Sequence, residues 1–380
     1  TEIDRLMNTQ NSDICNIRIQ CKWCQSCMNG FRKREAYDKH LALCKTNQIG
    51  TTLYTMPINK WLRFSDWSKM VSPPFVIYAD FESVLPKDDV HHQKHLPVSA
   101  GMLLINNITN QRLYYDFVGD DCVLEFLEKV EVIATDIVKP FYINSGKMPM
   151  SPLTSAEIKT YSASINCYLC KNPIQSKVRD HDHFTGKFIG AACKRCNLAR
   201  GINFELPVVF HNLRGYDLHH ILKYGVNQFP KWSLSCIPTS SEKFLALLVH
   251  MKCLTVRFID SYQFLNDSLA RAVGTLSNLP ITTAEFNNGL IMKSKGIFPY
   301  SFATSLEVLR ETMDLPQIWE GVTQDQYDEA KRVWVEMGCR TLLDYMLVYL
   351  KLDVTLLADV FHQFRQKSIS HNKLEPLNFF

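Results

Sequence analysis

The sequence predicts an α/β domain on a mixed β-sheet, preceded by one small metal-stapled unit and interrupted by another. Three observations predict it. Strand-like runs from Phe75 to Val118 give way to helical periodicity from Cys122 onward, the element order of an α/β fold. Seven of the thirteen cysteines fall into two metal-ligand spacings, too regular for a random thiol distribution. Four carboxylates, Asp80, Glu82, Asp217 and Asp353, are far apart in sequence, yet each stands beside an apolar strand-like or helical run.

The first unit spans 15–45. Cys24-x2-Cys27-x3-Phe31-x5-Tyr37-x2-His40-x3-Cys44 has the ligand spacing of a C2HC zinc finger, with Phe31 and Tyr37 where such fingers keep their small core. A unit this small buries too little surface to fold alone, so Zn²⁺ supplies the folding energy. Cys21 competes as a ligand, since Cys21-x2-Cys24 is also a pair, but it fits the Phe31 spacing less well. DNA contact and protein contact are both open for the finger. Residues 46–74 read as a connector whose aromatics Trp61, Phe64 and Trp67 pack on the next domain rather than stack on bases.

The main domain begins at Phe75. Phe75-Val-Ile-Tyr-Ala79 is a buried apolar strand, and Asp80 and Glu82 follow it on one face because strand side chains alternate. Leu96–Ile105 and Arg112–Val118 read as the next strands, with a loop at Asn106–Asn110. Apolar residues at Val123, Phe126, Leu127, Val130, Ile133 and Ile137 make Cys122–Pro140 a helix. Asn144–Pro152 reads as a linker. The first part of the domain is therefore 75–143.

A second cysteine-rich unit, 157–203, interrupts it. Cys167-x2-Cys170 and Cys193-x2-Cys196 are two pairs separated by 22 residues, a structural Zn²⁺ spacing. Asp180-His181-Asp182-His183 lies between them, and Asn197 follows the second pair. Without a resemblance, His181 and His183 read as extra zinc ligands or as partners of ligands.

The domain resumes over 204–380. Pro207–Phe210 is a strand, Asn212-Leu-Arg-Gly-Tyr-Asp217 a turn, and Leu218–Tyr224 a helix. His219 and His220 read as packing or capping residues. Leu254–Ile259 is another strand, and Asp260 after it reads as structural. Lys295–Tyr300 is a loop with no assigned chemistry. Glu320–Gly338 and Thr341–Gln366 are amphipathic helices. Tyr349 and Asp353, four apart on the second, share a face at the margin of its apolar stripe.

Four acids meeting at one point repel one another unless a cation neutralises them. Two Mg²⁺ or Mn²⁺ ions about 4 Å apart suit such all-oxygen ligands and phosphodiester hydrolysis. Asp80-Phe-Glu82, Asn212–Asp217 and Tyr349–Asp353 resemble, in order, the three exonuclease motifs of family B DNA polymerases. Val208–Asp217 and Tyr349–Asp359 are similar to the protein-primed branch found in Polinton/Maverick-type elements and related viruses. The resemblance covers most of 70–380. It implies a ribonuclease-H-like 3′→5′ exonuclease. Asp80, Glu82 and Asp353 would hold the catalytic ion, Asp217 the second through water. Tyr349 would orient the attacking water and Asn212 would contact the substrate strand. A solvated surface charge is the ordinary reading of any one acid; three motifs in order on the expected elements outweigh it.

The insertion resembles HNH, or recombination endonuclease VII-like, nucleases. That resemblance implies a Mg²⁺ held by Asp180 and Asn197, with His181 as general base. The chain departs from the pattern after Asn197: such nucleases often carry an acid soon after the Asn, but here Leu-Ala-Arg200 follows and Glu205 is eight residues on. Cleavage of branched or duplex DNA by the insertion, and binding without cleavage, are both open.

Composition is that of a globular protein, with 46% hydrophobic and 21% charged residues. No apolar run reaches the ~20 residues of a membrane span, and no signal-peptide pattern is present. Residues 15–45 and 167–200 each hold seven Lys/Arg against two acids, leaving the rest of the chain at −6 within a total of +4. Two basic patches on an otherwise acidic chain point to phosphate contacts, although bound thiolates also call for cations. Cysteines spent on metal rather than disulfides point to an intracellular compartment; the resemblance implies the nucleus or a viral replication site. The start at Thr1 and the apolar end at Leu377–Phe380 lead us to expect a piece of a larger polymerase, whose polymerase motifs lie beyond these residues. The leading expectation is a proofreading exonuclease acting on single-stranded 3′ ends. The competing ones are an endonuclease working through the insertion, and a non-catalytic DNA-binding remnant of a mobile element.

Overall fold

The computed structural model describes residues 22–24, 27, 29–46, 64–87, 94–145, 148–225, 228–229, 231–238, 244–252, 254–286, 295–317 and 321–379. Cys21 and Trp61 lie outside them. The chain divides into two compact units, Thr1–Phe64 and Ser65–Phe380.

In the first unit a short hairpin, β1 (Lys22–Trp23) and β2 (Gly30–Phe31), precedes helix α1 (Arg34–Thr46). Phe31 packs edge-on to Tyr37, with ring centroids 6.1 Å apart, and lies 4.6 Å from the His40 ring.

The second unit is α/β, with a seven-stranded mixed sheet in its centre. The first three strands are β3 (Phe75–Val84), β4 (Leu96–Asn106) and β5 (Arg112–Val118), an antiparallel meander. Strand β3 is longer than the sequence suggested. Asp80 and Glu82 do not follow it; they lie within it, because pairing with β4 continues through Val84.

Helix α2 (Cys122–Val132) continues through a π-helical stretch, Ile133–Val138, into α3 (Lys139–Ser145). The expected single helix is therefore interrupted, and it runs into the expected linker. The π stretch shifts the phase of the apolar face, which lets Ile133, Ala134 and Val138 stay buried. Helix α4 (Ser155–Ala163) was not expected; a capping box between Thr154 and Glu157 starts it. The insertion continues with hairpin β6 (Lys177–His181) and β7 (Phe188–Cys193), then helix α5 (Lys194–Ala199).

Strand β8 (Glu205–Phe210) returns the chain to the main sheet, and helix α6 (Asp217–His220) follows the Asn212 turn. Hairpin β9 (Ser233–Pro238) and β10 (Phe244–Met251) has no counterpart among the sequence expectations. The run Phe244–Val249 is continuously apolar, a pattern in which the period cannot separate strand from helix. Strand β11 (Leu254–Asp260) completes the sheet, in the order β5-β4-β3-β8-β11-β10-β9. Strands β3, β8 and β11 are mutually parallel.

The remaining helices are α7 (Leu269–Gly274), α8 (Pro280–Glu285), α9 (Leu306–Glu311), α10 (Gln324–Glu336) and α11 (Leu342–Asn372). Thr341 and Asp344 cap the start of α11, and Lys373, in the left-handed region at φ +59°, ends it. It is longer than the apolar stripe suggested, because its last turns are solvated.

The two faces of the sheet bury separate cores. Ile77, Ala79 and Phe81 of β3 pack with α2. Val76 and Tyr78 pack with α11. Asp80 and Glu82 share the phase of Val76 and Tyr78, so alternation aims both at α11, the helix that carries Asp353. Among the described residues no helix is long and apolar enough to cross a membrane.

Candidate active site and metal centres

Asp80, Glu82 and Asp353 place carboxylate oxygens within 4.8 Å of one another. Two come from the central strand and one from the helix lying over it. Glu82 and Asp353 are buried, and Asp80 is half-buried. Asp217, buried at the start of α6, lines the same cavity of about 750 Å³ together with Asp80, Glu82 and Asp353.

Burial and mutual repulsion resist ionisation here. Burial, then the charge of Asp353, pushes the Asp80 carboxyl up to about 7. Glu82 and Asp217 are raised well above the carboxylate range, by burial first and by Asp80 next. Oδ1 of Asp353 and Oδ1 of Asp217 are buried without a hydrogen-bond partner. Buried orphan oxygens and converging acids are what a divalent cation satisfies, so this donor set fits one.

The loop 295–300, to which the sequence assigned no role, supplies two contacts. Lys295 Nζ lies 2.6 Å from Asp353 Oδ2 and 5.5 Å from the centre of the Tyr349 ring. Tyr300 donates its hydroxyl to Glu82 Oε2 at 2.6 Å. Burial alone would lower the Lys295 pKa, but Asp353, Tyr349 and Asp80 outweigh it and keep the ammonium charged. The loop resembles the family in sequence but has no clear chemical role there; only the fold brings its lysine to Asp353. Tyr349 is buried beside the cluster rather than on an open margin, edge-on to Tyr300 with centroids 6.4 Å apart.

The Asn212 turn is held from below by Asp260, which is fully buried. Its carboxylate accepts from the Asn212 and Tyr262 N–H groups at 2.8 and 3.0 Å, and from the Arg214 side chain at 3.1 Å. Asn212 itself has φ +66° and lines the cavity. A Cβ on Gly215 would sit 2.6 Å from Asn212 Oδ1, so glycine there keeps the Asn212 amide in place. The structural reading of Asp260 holds. His220 is buried between the Tyr216 and Tyr224 rings, 4.9 and 6.1 Å away, and packs as expected; His219 is exposed.

The two cysteine clusters each bring four ligand atoms within 4.8 Å: Cys24, Cys27, His40, Cys44, and Cys167, Cys170, Cys193, Cys196. Both donor sets suit tetrahedral Zn²⁺. Burial disfavours the Cys167 thiolate, but N–H groups of Cys170, Cys193 and Leu169 overcome this and bring it down to about 7. Trp67 and Met70 pack against the second cluster, in line with packing rather than base stacking for Trp67; Phe64 is exposed.

The insertion's own acidic centre is different. Asp180 is buried at the β6 end. Its Oδ2 accepts from the Tyr168 hydroxyl at 2.5 Å and its Oδ1 from Arg200 Nη1 at 3.2 Å. His181 and His183 stand side by side, with ring centroids 4.7 Å apart. Asp182 accepts the N–H groups of Phe184 and Thr185 and closes its own turn. Among the described residues Asp180 joins no group of converging metal ligands. The Asp180 carboxylate, expected to pair with Asn197 at a Mg²⁺, instead meets an arginine and a tyrosine.

Residues 202–374 match the family model of DNA polymerase type B, organellar and viral. Residues 150–217 match recombination endonuclease VII. No curated protein matches the chain. Both resemblances read from the sequence are thus matched by family models, and both families act on DNA. The polymerase match holds Asn212, Asp217, Lys295, Tyr349 and Asp353, while Asp80 and Glu82 precede it. The endonuclease match holds all four cysteines of the second cluster, with Asp180, His181 and Asn197.

Proposed function

We propose that the chain is the proofreading part of a type B DNA polymerase: a metal-dependent 3′→5′ exonuclease of the ribonuclease-H-like fold, joined to the rest of the polymerase. One observation carries this reading. Asp80 and Glu82 on the central strand meet Asp353 on the covering helix, with Asp217 in the same cavity. The strand order supports the fold assignment, an antiparallel meander whose first strand is followed in the sheet by two parallel ones.

Asp80, Glu82 and Asp353 would hold one divalent ion, and Asp217 a second through water. Such ions make hydroxide available at neutral pH and offset the charge on a leaving 3′ oxygen. Tyr349, buried against the cluster, orients the attacking water. Lys295 adds a fixed positive charge beside Asp353. Tyr300 fixes the Glu82 carboxylate. Asn212, at the cavity wall, meets the substrate strand near the scissile phosphate. Two Zn²⁺ ions staple the small units. The nucleus or a viral replication site, and the protein-primed branch of the family, follow from the resemblance alone.

The test is degradation of 5′-labelled single-stranded DNA with Mg²⁺. The chain is expected to give a ladder shortening from the 3′ end. Asp80→Ala or Asp353→Ala is expected to lower the rate at least about 10³-fold, several kcal/mol of lost charge stabilisation, with the fold kept. Full activity in either variant sinks the proposal.

A second reading has its own observation, the endonuclease VII match over the insertion. It predicts internal cuts lost in His181→Ala and kept in Asp353→Ala.

A further inference from the structure

The endonuclease VII-like region implies a divalent ion at Asp180, and the residues around Asp180 do not fit one. We propose that Arg200 is a built-in cation that closes this centre to metal, so that the insertion holds duplex DNA by its phosphates without cutting it.

Three observations carry this. Each carboxylate oxygen of Asp180 accepts a hydrogen bond, one from the Arg200 guanidinium and one from the Tyr168 hydroxyl. The pair is enclosed, with side-chain exposures of 12% for Arg200 and 3% for Asp180, so water competes little and the charges stay together. The arrangement is held on both sides. Arg200 caps the helix that bears Cys196, donating its N–H to the Cys196 carbonyl at 3.0 Å. Tyr168 sits between Cys167 and Cys170, and its ring crosses β7 where a Cβ on Gly190 would stand 2.9 Å away. Both segments carry ligands of the four-cysteine cluster, so that cluster itself places both partners of Asp180.

The pairing also explains what the sequence left open. The three residues after Asn197 hold no acid and end on Arg200, whose positive charge neutralises the Asp180 carboxylate and so weakens its pull on a metal ion. The remaining charge suits a polyanion. Arg200 and Asp180 cancel. Lys171, Arg179, Lys187, Lys194 and Arg195 stay exposed on the same small unit. The occupant that matches this surface is duplex DNA, held by phosphate contacts. The claim is independent of the exonuclease, because it concerns residues outside the four-carboxylate site.

The first experiment titrates Mn²⁺ into the zinc-loaded chain carrying Asp80→Ala and Asp353→Ala, with and without Asp180→Asn, read by electron paramagnetic resonance. The two titrations are expected to superimpose. A bound ion that Asp180→Asn removes overturns the proposal. Arg200→Gln in the same background, checked for zinc content, is expected to admit one Mn²⁺; a folded variant that still binds none shows that Arg200 is not the blocking group. The second experiment measures binding to closed circular duplex DNA. Affinity is expected to be the same with Mg²⁺ and with chelator, and the DNA to stay closed. Lys194→Ala with Arg195→Ala is expected to flatten the salt dependence by up to about two phosphate contacts. An unchanged salt dependence removes the binding surface from the proposal, and nicking that disappears in His181→Ala overturns it outright.

Discussion

Lys295 reaches from a loop to within 2.6 Å of Asp353 Oδ2, so a fixed ammonium faces the same carboxylate that would bind metal. Glu82 is held in parallel by Tyr300 from the same loop. One short segment therefore sets two of the three clustered carboxylates.

Replacing that ammonium tests its role. Lys295→Ala is expected to slow the proposed exonuclease about 10²-fold, the scale for losing one preorganised charge at a reacting phosphate, and Lys295→Arg to recover part of it. Tyr300→Phe, which removes only the hydrogen bond to Glu82, is expected to cost about tenfold. Single-turnover rates on a 5′-labelled strand decide this. A Lys295→Ala rate equal to the parent's would make Lys295 a structural counter-charge only.

The carboxylate cluster makes the metal-free protein sensitive to pH. The Asp80 carboxyl, at about 7, sits above its usual value near 4 because burial and Asp353 disfavour its charge. At Asp80 the folded chain therefore holds more protons than the unfolded chain between roughly pH 4 and pH 7, and the stability this group contributes falls as pH rises through that window. His220, held down to about 4 by burial, acts with the opposite sign, so the comparison with Asp80→Asn isolates the carboxylate. Thermal unfolding of the zinc-loaded chain with no Mg²⁺ or Mn²⁺ added is expected to show a steeper loss for the parent than for Asp80→Asn. Identical slopes would separate Asp80 from the repulsion described here.

Metal content gives the third check. The purified chain is expected to carry two Zn²⁺ by elemental analysis. Cys44→Ser and Cys196→Ser should each lose one. Small zinc units draw most of their folding energy, on the order of 10 kcal/mol, from the ion. Cys196→Ser should accordingly unfold the β6–β7 hairpin and free Arg200 from Asp180, which amide exchange reads directly.

Much of this was legible in the chain. Cys24 to Cys44 and Cys167 to Cys196 are short-range patterns whose spacing nearly specifies the ligand geometry. Asp80 and Glu82 follow from strand alternation, and Tyr349 with Asp353 from the helical period. Other features were not legible for physical reasons. Pairing between β3 and β4 extends the strand past Asp80, which no local propensity dictates. The β9–β10 hairpin hides in a uniformly apolar run. The π stretch after Val132 follows from packing, not from composition.

The sequence alone determined the α/β class and the two cysteine clusters, because each rests on a local period or spacing, and it singled out the four acids through the resemblance of their three motifs to a known family. Tertiary structure alone decided which groups face those acids. It put Lys295 on Asp353 and Tyr300 on Glu82 across gaps of 58 and 218 residues. It also paired Asp180 with Arg200 and Tyr168. Charges interact through space, over a few ångströms and in a buried setting, so their partners are chosen by the fold and not by position along the chain.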